Sequence, residues 1–415
     1  MKAKIKLEKK QIWYVLFLFL TFQTAIIVNT KEGSLFYTIM NYADEIIVVS
    51  LFLITIAKYK FEVHLLPFER RMLLFLVIFE IMGITTGIYY QYQEIKYMIL
   101  DAFQSIKFIL IYYSARLLTK DQLDDKFFLP LNNLVRVFAV ILLVLGLHDV
   151  LLSPWWPTYD FRYFVNTISL FFNHPENLSR CCMALIFVLA YNYRYYKHNI
   201  YYIFMLSAVI LFAFRAKAVL ALFVFFAVFI YFVKLRFQNL IPAGIAGVAG
   251  IAYLGKDAFS HYYRSTEFSV RQKLTEDSIK IANQYFPIGT GFGSFGTNSA
   301  IQHYSKLYVK MGYLYSWEMG PRSHYMNDTF WPSLFAQTGW FGTAAFAIAL
   351  LNLLDFIIRS RKKDVYFFWV SISILAYDVI SSAANTAFFH PSAMAPYLFL
   401  GLIMSIYVYP KKVSN

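Results

Sequence analysis

The chain has 415 residues, of which 59% are hydrophobic and 15% charged, and its mean hydropathy is +0.51. An ordinary soluble domain is about 45–50% apolar, so these values exclude a disordered chain and argue against a soluble globular one. The formal net charge is +14, but Lys and Arg sit mostly in short connections between apolar runs, which indicates membrane topology rather than nucleic-acid binding.

A helix needs about 20 apolar residues to cross the hydrocarbon core. In chain order the candidate spans lie near 12–30, 36–57, 72–91, 97–118, 133–153, 178–196, 199–215, 217–233, 239–255, 329–358, 365–383 and 393–409. The expected fold is all-α, a polytopic membrane protein of about 12 transmembrane helices with a large, partly helical extracytoplasmic loop. Three sections are expected: N-terminal transmembrane helices over 1–153, a core over 154–345 with spans 6–9 and the outer loops, and C-terminal transmembrane helices over 346–415. The first span is expected to be retained, because no small-residue cleavage site follows it.

The positive-inside rule sets the orientation. With the N-terminus inside, the inner segments are MKAKIKLEKK, KYKFEVHLLPFERR, the 119–132 loop, YRYYKHN, KLRFQN, RSRKKD and PKKVSN, nearly all basic and short. Both termini are therefore expected in the cytoplasm. Two long segments then fall outside, about 154–177 and about 256–328. In the second, Phe268, Val270, Leu274, Ile281 and Tyr285 recur at near-helical spacing, which predicts an amphipathic helix on the outer face.

Within PIGTGFGSFG (287–296), Gly291, Gly293 and Gly296 fit G-x-G-x-x-G. A dinucleotide fingerprint needs a strand before it and a βαβ unit around it. Neither is readable, so the motif predicts a tight, close-packed loop with positive φ angles. Cys181 and Cys182 are adjacent in an apolar run and are expected in the core.

Several cations lie at the expected outer ends of spans: Arg162, Arg180, Arg215, Lys217, Arg264, Arg271 and Arg322. The positive-inside rule disfavours them there. Arg215, in LFAFRAKAVLALF, has almost no loop around it. It is either a snorkelling side chain at a hairpin turn or part of an anion site. Arg presents a planar fork that matches phosphate oxygens and stays charged. Two or three such residues could hold a lipid-linked diphosphate and stabilise its charge as it leaves. Deeper lie Glu80, Asp101, Lys107 and Asp378, each expected to pair with another helix; a proton relay among them would instead make the protein a transporter.

Four segments resemble the O-antigen polymerase and ligase superfamily, and most of all its Wzy-type polysaccharide polymerases. RYFVNTISLFFNHPENLSR (162–180) is similar to the family's Arg followed by Phe-x-His-Pro-x-Asn. LFAFRAKAVLALF (211–223) is similar to its Ser-Arg-small-small element, with Phe214 where Ser is common. VRQKLTEDSIKIANQYFPIGTGFGSFG (270–296) is similar to its Arg-helix-Pro-x-Gly-x-Gly segment, and NDTFWPSLFAQTGWFG (327–342) to its helix ending Gln-Thr-Gly-x-x-Gly. The likeness covers about 160–345. Many members carry His-Asn at the start of the last element. Here that position is Asp328, with His324 four residues earlier.

The resemblance implies a metal-independent membrane glycosyltransferase without a cofactor. Its donor and acceptor are polyprenyl-diphosphate-linked oligosaccharides, in the bilayer at the outer face of a bacterial cytoplasmic membrane. It admits a flippase and chain-length regulator proteins as partners. Arg215 and Arg271 would bind the donor diphosphate, and Asp328 or His324 would accept the acceptor proton. Arg162, His174, Arg180, Arg264 and Arg322 would contact substrate, although His174 could equally cap the sixth span. Trp155, Trp156, Tyr159, Trp317 and Trp331 would either stack on sugars or anchor the chain at the interface. The alternatives are a ligase moving polymer to a different acceptor and a lipid-linked oligosaccharide flippase or transporter.

Overall fold

The structure, a computed structural model, describes residues 10–410 apart from 61, 63–64, 153, 157–160, 163–164, 238–241, 243–268, 322–325 and 328; for Phe161, Arg162 and Val165 it describes the backbone alone. The regular structure of the described residues is almost entirely helical. The helices are α1 (Ile12–Val28), α2 (Leu35–Asn41), α3 (Ala43–Tyr59), α4 (Pro67–Tyr90), α5 (Ile95–Leu118), α6 (Leu129–Leu151), α7 (Pro175–Tyr191), α8 (Asn199–Phe212), α9 (Ala216–Val228), α10 (Val270–Gln284), α11 (Asn298–Gln302), α12 (Lys306–Lys310), α13 (Trp331–Ser360), α14 (Val365–Ser381) and α15 (Met394–Val408). A two-residue hairpin pairs Phe161 with Asn166 and Arg162 with Val165.

Local chemistry sets the helix starts. Pro67 and Pro175 open α4 and α7, where a missing N–H costs nothing. Glu69 accepts from the Leu66 N–H at 2.8 Å, and Asp364 accepts from the Tyr366 and Phe367 N–H groups at 3.0 Å.

Among the described residues, six stretches are long and apolar enough to cross a membrane: α4, α5, α6, α9 with its continuation to Lys234, α13, and Pro391–Val408. The expected span 36–57 is two helices, α2 and α3, meeting at 55°, and counts as a seventh if taken as one. The helix breaks at Tyr42 (φ −102°, ψ 10°), and Asp44 in the new first turn is drawn to Lys107 of α5. The expected spans at 12–30, 178–196, 199–215 and 365–383 coincide with α1, α7, α8 and α14, which have 14 to 17 residues. The expected span 239–255, Pro242 apart, lies outside the described residues. The protein is a helical membrane protein: α4 and α6 turn Leu74, Val77, Ile81, Val137, Ile141 and Val144 outwards, an apolar belt that suits lipid and not water.

At the centre stand α7 and α15. Every residue from Leu178 to Tyr191 and from Met394 to Ile406 is buried, Cys181 and Cys182 among them. A Cβ on Gly401 would lie 2.4 Å from the Tyr112 carbonyl oxygen, so α15 and α5 meet almost backbone to backbone. Two cations inside the bundle are paired between helices, as the sequence predicts for Lys107. Lys107 meets Asp44 at 2.5 Å and Glu45 at 3.0 Å, and Arg116 meets Glu69 at 2.6 Å.

The two ends of the bundle differ. At one, Arg194 of the α7–α8 turn meets Asp364 at 3.0 Å, and Tyr59 donates to the Leu117 carbonyl at 2.7 Å. That end carries Lys58, Arg70, Lys120, Arg194 and Lys363. The other end carries residues 269–321, which have a core of their own. Leu274, Ile281, Phe295, Leu307, Tyr308 and Tyr313 are buried together there, with Leu274, Asp277, Ser278 and Ile281 on the inner face of the expected amphipathic helix, α10.

Candidate functional site

Three helices and one connection bring charge to this second end. α7 begins at Pro175, and its N-cap His174 accepts from the Glu176 N–H at 3.1 Å. Glu176 and Arg180 then stand one turn apart, with Arg180 Nη2 3.1 Å from Glu176 Oε1. α9 begins after a sharp turn that places Phe214 at φ 47°, an uncommon region for a non-glycine residue. Arg215 is its N-cap residue, and Lys217 Nζ lies 3.1 Å from Glu176 Oε2. From the α14–α15 connection, Asn385 donates to Glu176, and the Ser392 hydroxyl accepts from Arg180 at 3.3 Å. The third helix is α10: Arg271 is near enough to Lys217 for the two charges to repel.

Arg180, Lys217 and Arg271 thus gather from three separate stretches. Glu176 holds the first two, and Asp378 also acts on Arg180. Three cations facing two carboxylates, with Arg215 two residues from Lys217, leave an excess of positive charge where α7 and α9 start. Helix N-termini favour anions, so the arrangement is suited to an anion with several oxygens.

Of the residues selected from sequence, Arg180, Arg215, Arg271 and His174 all lie at this end of the bundle. His174 acts as the helix cap that sequence offered as one of its two readings. Arg162 is placed by its backbone in the short hairpin. Asp328, His324, Arg322 and Arg264 lie outside the described residues. Asn385, His390 and Ser392 were not selected. The signal for His390 and Ser392 is a repeated device: His174-Pro175 and His390-Pro391 each place a His cap before a Pro-initiated turn, with His390 Nδ1 accepting from the Ser392 N–H at 3.2 Å.

The glycine loop seats residues 269–321 on the bundle. Gly289, Gly291, Gly293 and Gly296 all have positive φ, as predicted. α13 is interrupted at Gly339 (φ 64°, ψ −169°), which frees carbonyls one turn earlier. The Thr290 N–H donates to Ala336 O at 2.9 Å, and the Gly291 N–H to Gln337 O at 2.7 Å. The Phe292 N–H reaches Gly83 O in α4 at 3.1 Å, and the Gly293 N–H reaches Asp101 Oδ2 in α5 at 2.8 Å. The motif is therefore a clasp between three helices. A Cβ on Gly291 would lie 2.2 Å from Gly87 Cα. Gly291→Ala is expected to undock the segment, seen as rapid proteolysis within 286–321 where the parent is protected. Gly312→Ala, with φ 77° but open space around it, should stay protected.

Burial opposes charge on Asp277 of α10, but hydrogen bonds from Tyr313, Lys273 and Lys280 outweigh it and hold its carboxyl below the ordinary range. A depressed folded value stabilises fully above the unfolded value of about 3.9 and is lost as pH falls through the folded one. Asp277→Asn is therefore expected to weaken the segment equally from pH 5 to 8, with the parent converging on the variant only below about pH 4. Hydrogen exchange over 270–284 reads this.

No family model matches the sequence, and no curated protein matches it.

Proposed function

We propose that the protein is a Wzy-type polysaccharide polymerase. It would transfer a glycan chain from a polyprenyl diphosphate to a sugar hydroxyl of another lipid-linked repeat unit. The observation that carries this reading is the gathering of Arg180, Lys217 and Arg271, with Arg215 alongside, at one end of a membrane bundle. The resemblance of 160–345 to that family supports the choice of a diphosphate as the anion. The basic character of the opposite end supports placing the cluster outside and both termini in the cytoplasm. In this reading α1, α7, α8, α14 and residues 239–255 cross the bilayer as well, giving twelve spans.

In the reaction, the acceptor hydroxyl oxygen attacks the anomeric carbon of the donor sugar. The bond from that carbon to the diphosphate oxygen breaks, and the electron pair leaves with the lipid diphosphate. Arg215 and Arg271 stabilise the growing charge, a role that preorganised cations fill well in a site of low dielectric. The hydroxyl proton passes to Asp328 or His324. Arg180 and Lys217, held by Glu176, set the positive field behind them. Arg162, Arg264, Arg322 and His174 would contact the rest of the substrate.

Incubating the purified protein with one defined lipid-linked repeat unit tests the reading. A ladder of products is expected. New bonds only when a foreign acceptor is added would identify a ligase, and no new bond with any acceptor would leave a transporter.

A further inference from the structure

A cavity of about 110 Å³ opens at the same end of the bundle, between the α2–α3 junction, α5, α11 and the α14–α15 connection. One water needs about 10–15 Å³ of such space, so the cavity holds on the order of eight waters, the bulk of one sugar ring. His390 and Pro391 form part of its wall, and the next residue, Ser392, accepts from Arg180 of the cluster at 3.3 Å. The cavity therefore adjoins the cation cluster.

Its wall differs from that of the cluster. The one lining cation, Lys107, is already held by Asp44 and Glu45. The two lining carboxylates are Glu45 and Asp101, and Asp101 is committed to the glycine loop and to Gln337. A second anion would be repelled here. What the wall offers instead are uncharged groups. The side-chain amides of Asn41, Gln104 and Gln302 make no hydrogen bond among the described residues, nor does the Thr386 hydroxyl. Gln23, Gln93 and Gln337, by contrast, are all committed to protein partners. Each amide carries two donors and an acceptor side by side, which matches adjacent hydroxyls on a sugar. The Tyr42 ring, 44% exposed, adds an apolar face.

We propose that this cavity is a subsite for an uncharged sugar ring of the glycan, held by Asn41, Gln104, Gln302 and Thr386, next to the diphosphate-binding cluster. The source of that sugar rests on the transferase reading; the hydroxyl-binding chemistry of the cavity does not. The probe is the repeat-unit oligosaccharide cut from its lipid by mild acid, which carries no phosphate. Saturation-transfer NMR with detergent-solubilised protein should show binding by the parent. Gln104→Ala and Gln302→Ala should each weaken binding by about tenfold, one lost hydrogen-bonding side chain of about 1.4 kcal/mol. Gln302 is exposed, so that variant keeps the test open if Gln104→Ala fails to fold. Arg271→Ala should bind the phosphate-free glycan as the parent does. Absent binding by the parent, or unchanged binding by both Gln variants, overturns the proposal. A product ladder without glycan binding would sink the subsite alone. Glycan binding lost in the Gln variants, but no ladder, would sink the transferase reading and leave the subsite standing.

Discussion

Arg271→Ala in the purified protein is expected to reduce ladder formation by at least about 10²-fold, with protein yield and thermal stability close to the parent. The side chain is half-buried at the start of α10 and acts on Lys217 across the cluster. Hydrogen bonds to charged groups contribute roughly 1.5–3 kcal/mol each, and a guanidinium can make two to one phosphate. Removing both costs about two to four powers of ten if they form mainly as the leaving group gains charge. Arg271→Lys keeps the charge and loses the fork, so it should fall between. Equal ladders from all three proteins at matched concentration would remove Arg271 from the reaction.

Glu176→Gln should act on stability before it acts on chemistry. The carboxylate holds Arg180, which is only 2% exposed, and Lys217, and it also receives Asn385. Removing one member of a buried ion pair typically costs about 3–5 kcal/mol, because the other charge stays buried and uncompensated. A large drop in the melting temperature in detergent is expected. The further change Arg180→Met should recover part of it, since the stranded cation is then gone. A double variant no more stable than Glu176→Gln would mean that Arg180 is not what Glu176 supports.

Much of the membrane architecture was legible because lipid imposes a simple demand, about 20 apolar residues per span. Long helices such as α4, α6 and α13 satisfy it along one continuous run. α7 was legible as a segment, but of its burial only the place of Cys181 and Cys182 in the core was. It is surrounded by protein, so it can carry Arg180, a charge that is costly on a lipid-facing helix. The break at Tyr42 was hidden because no Pro or Gly marks it; the pull on Asp44 comes from Lys107, far along the chain. At the site, Arg180, Arg215 and Arg271 stood out because cations at that end of a span are unfavourable unless they have a task. Glu176, Asn385 and Ser392 did not stand out. Polar residues in a loop are unremarkable until the fold places them against a buried guanidinium. The glycine loop was legible as a tight turn, but its partners Gly83, Asp101 and Gln337 were not, being supplied by three different helices.

The clasp at 287–296 also constrains how the molecule is made. Its hydrogen-bond partners include Ala336 and Gln337, which follow it in the chain, as well as Gly83 and Asp101, which precede it. During biogenesis the segment over 269–321 therefore leaves the ribosome before half of its docking surface exists. It completes its fold only after α13 has been inserted, so truncation before residue 336 should yield helices in the bilayer but an unseated segment open to proteases and chaperones.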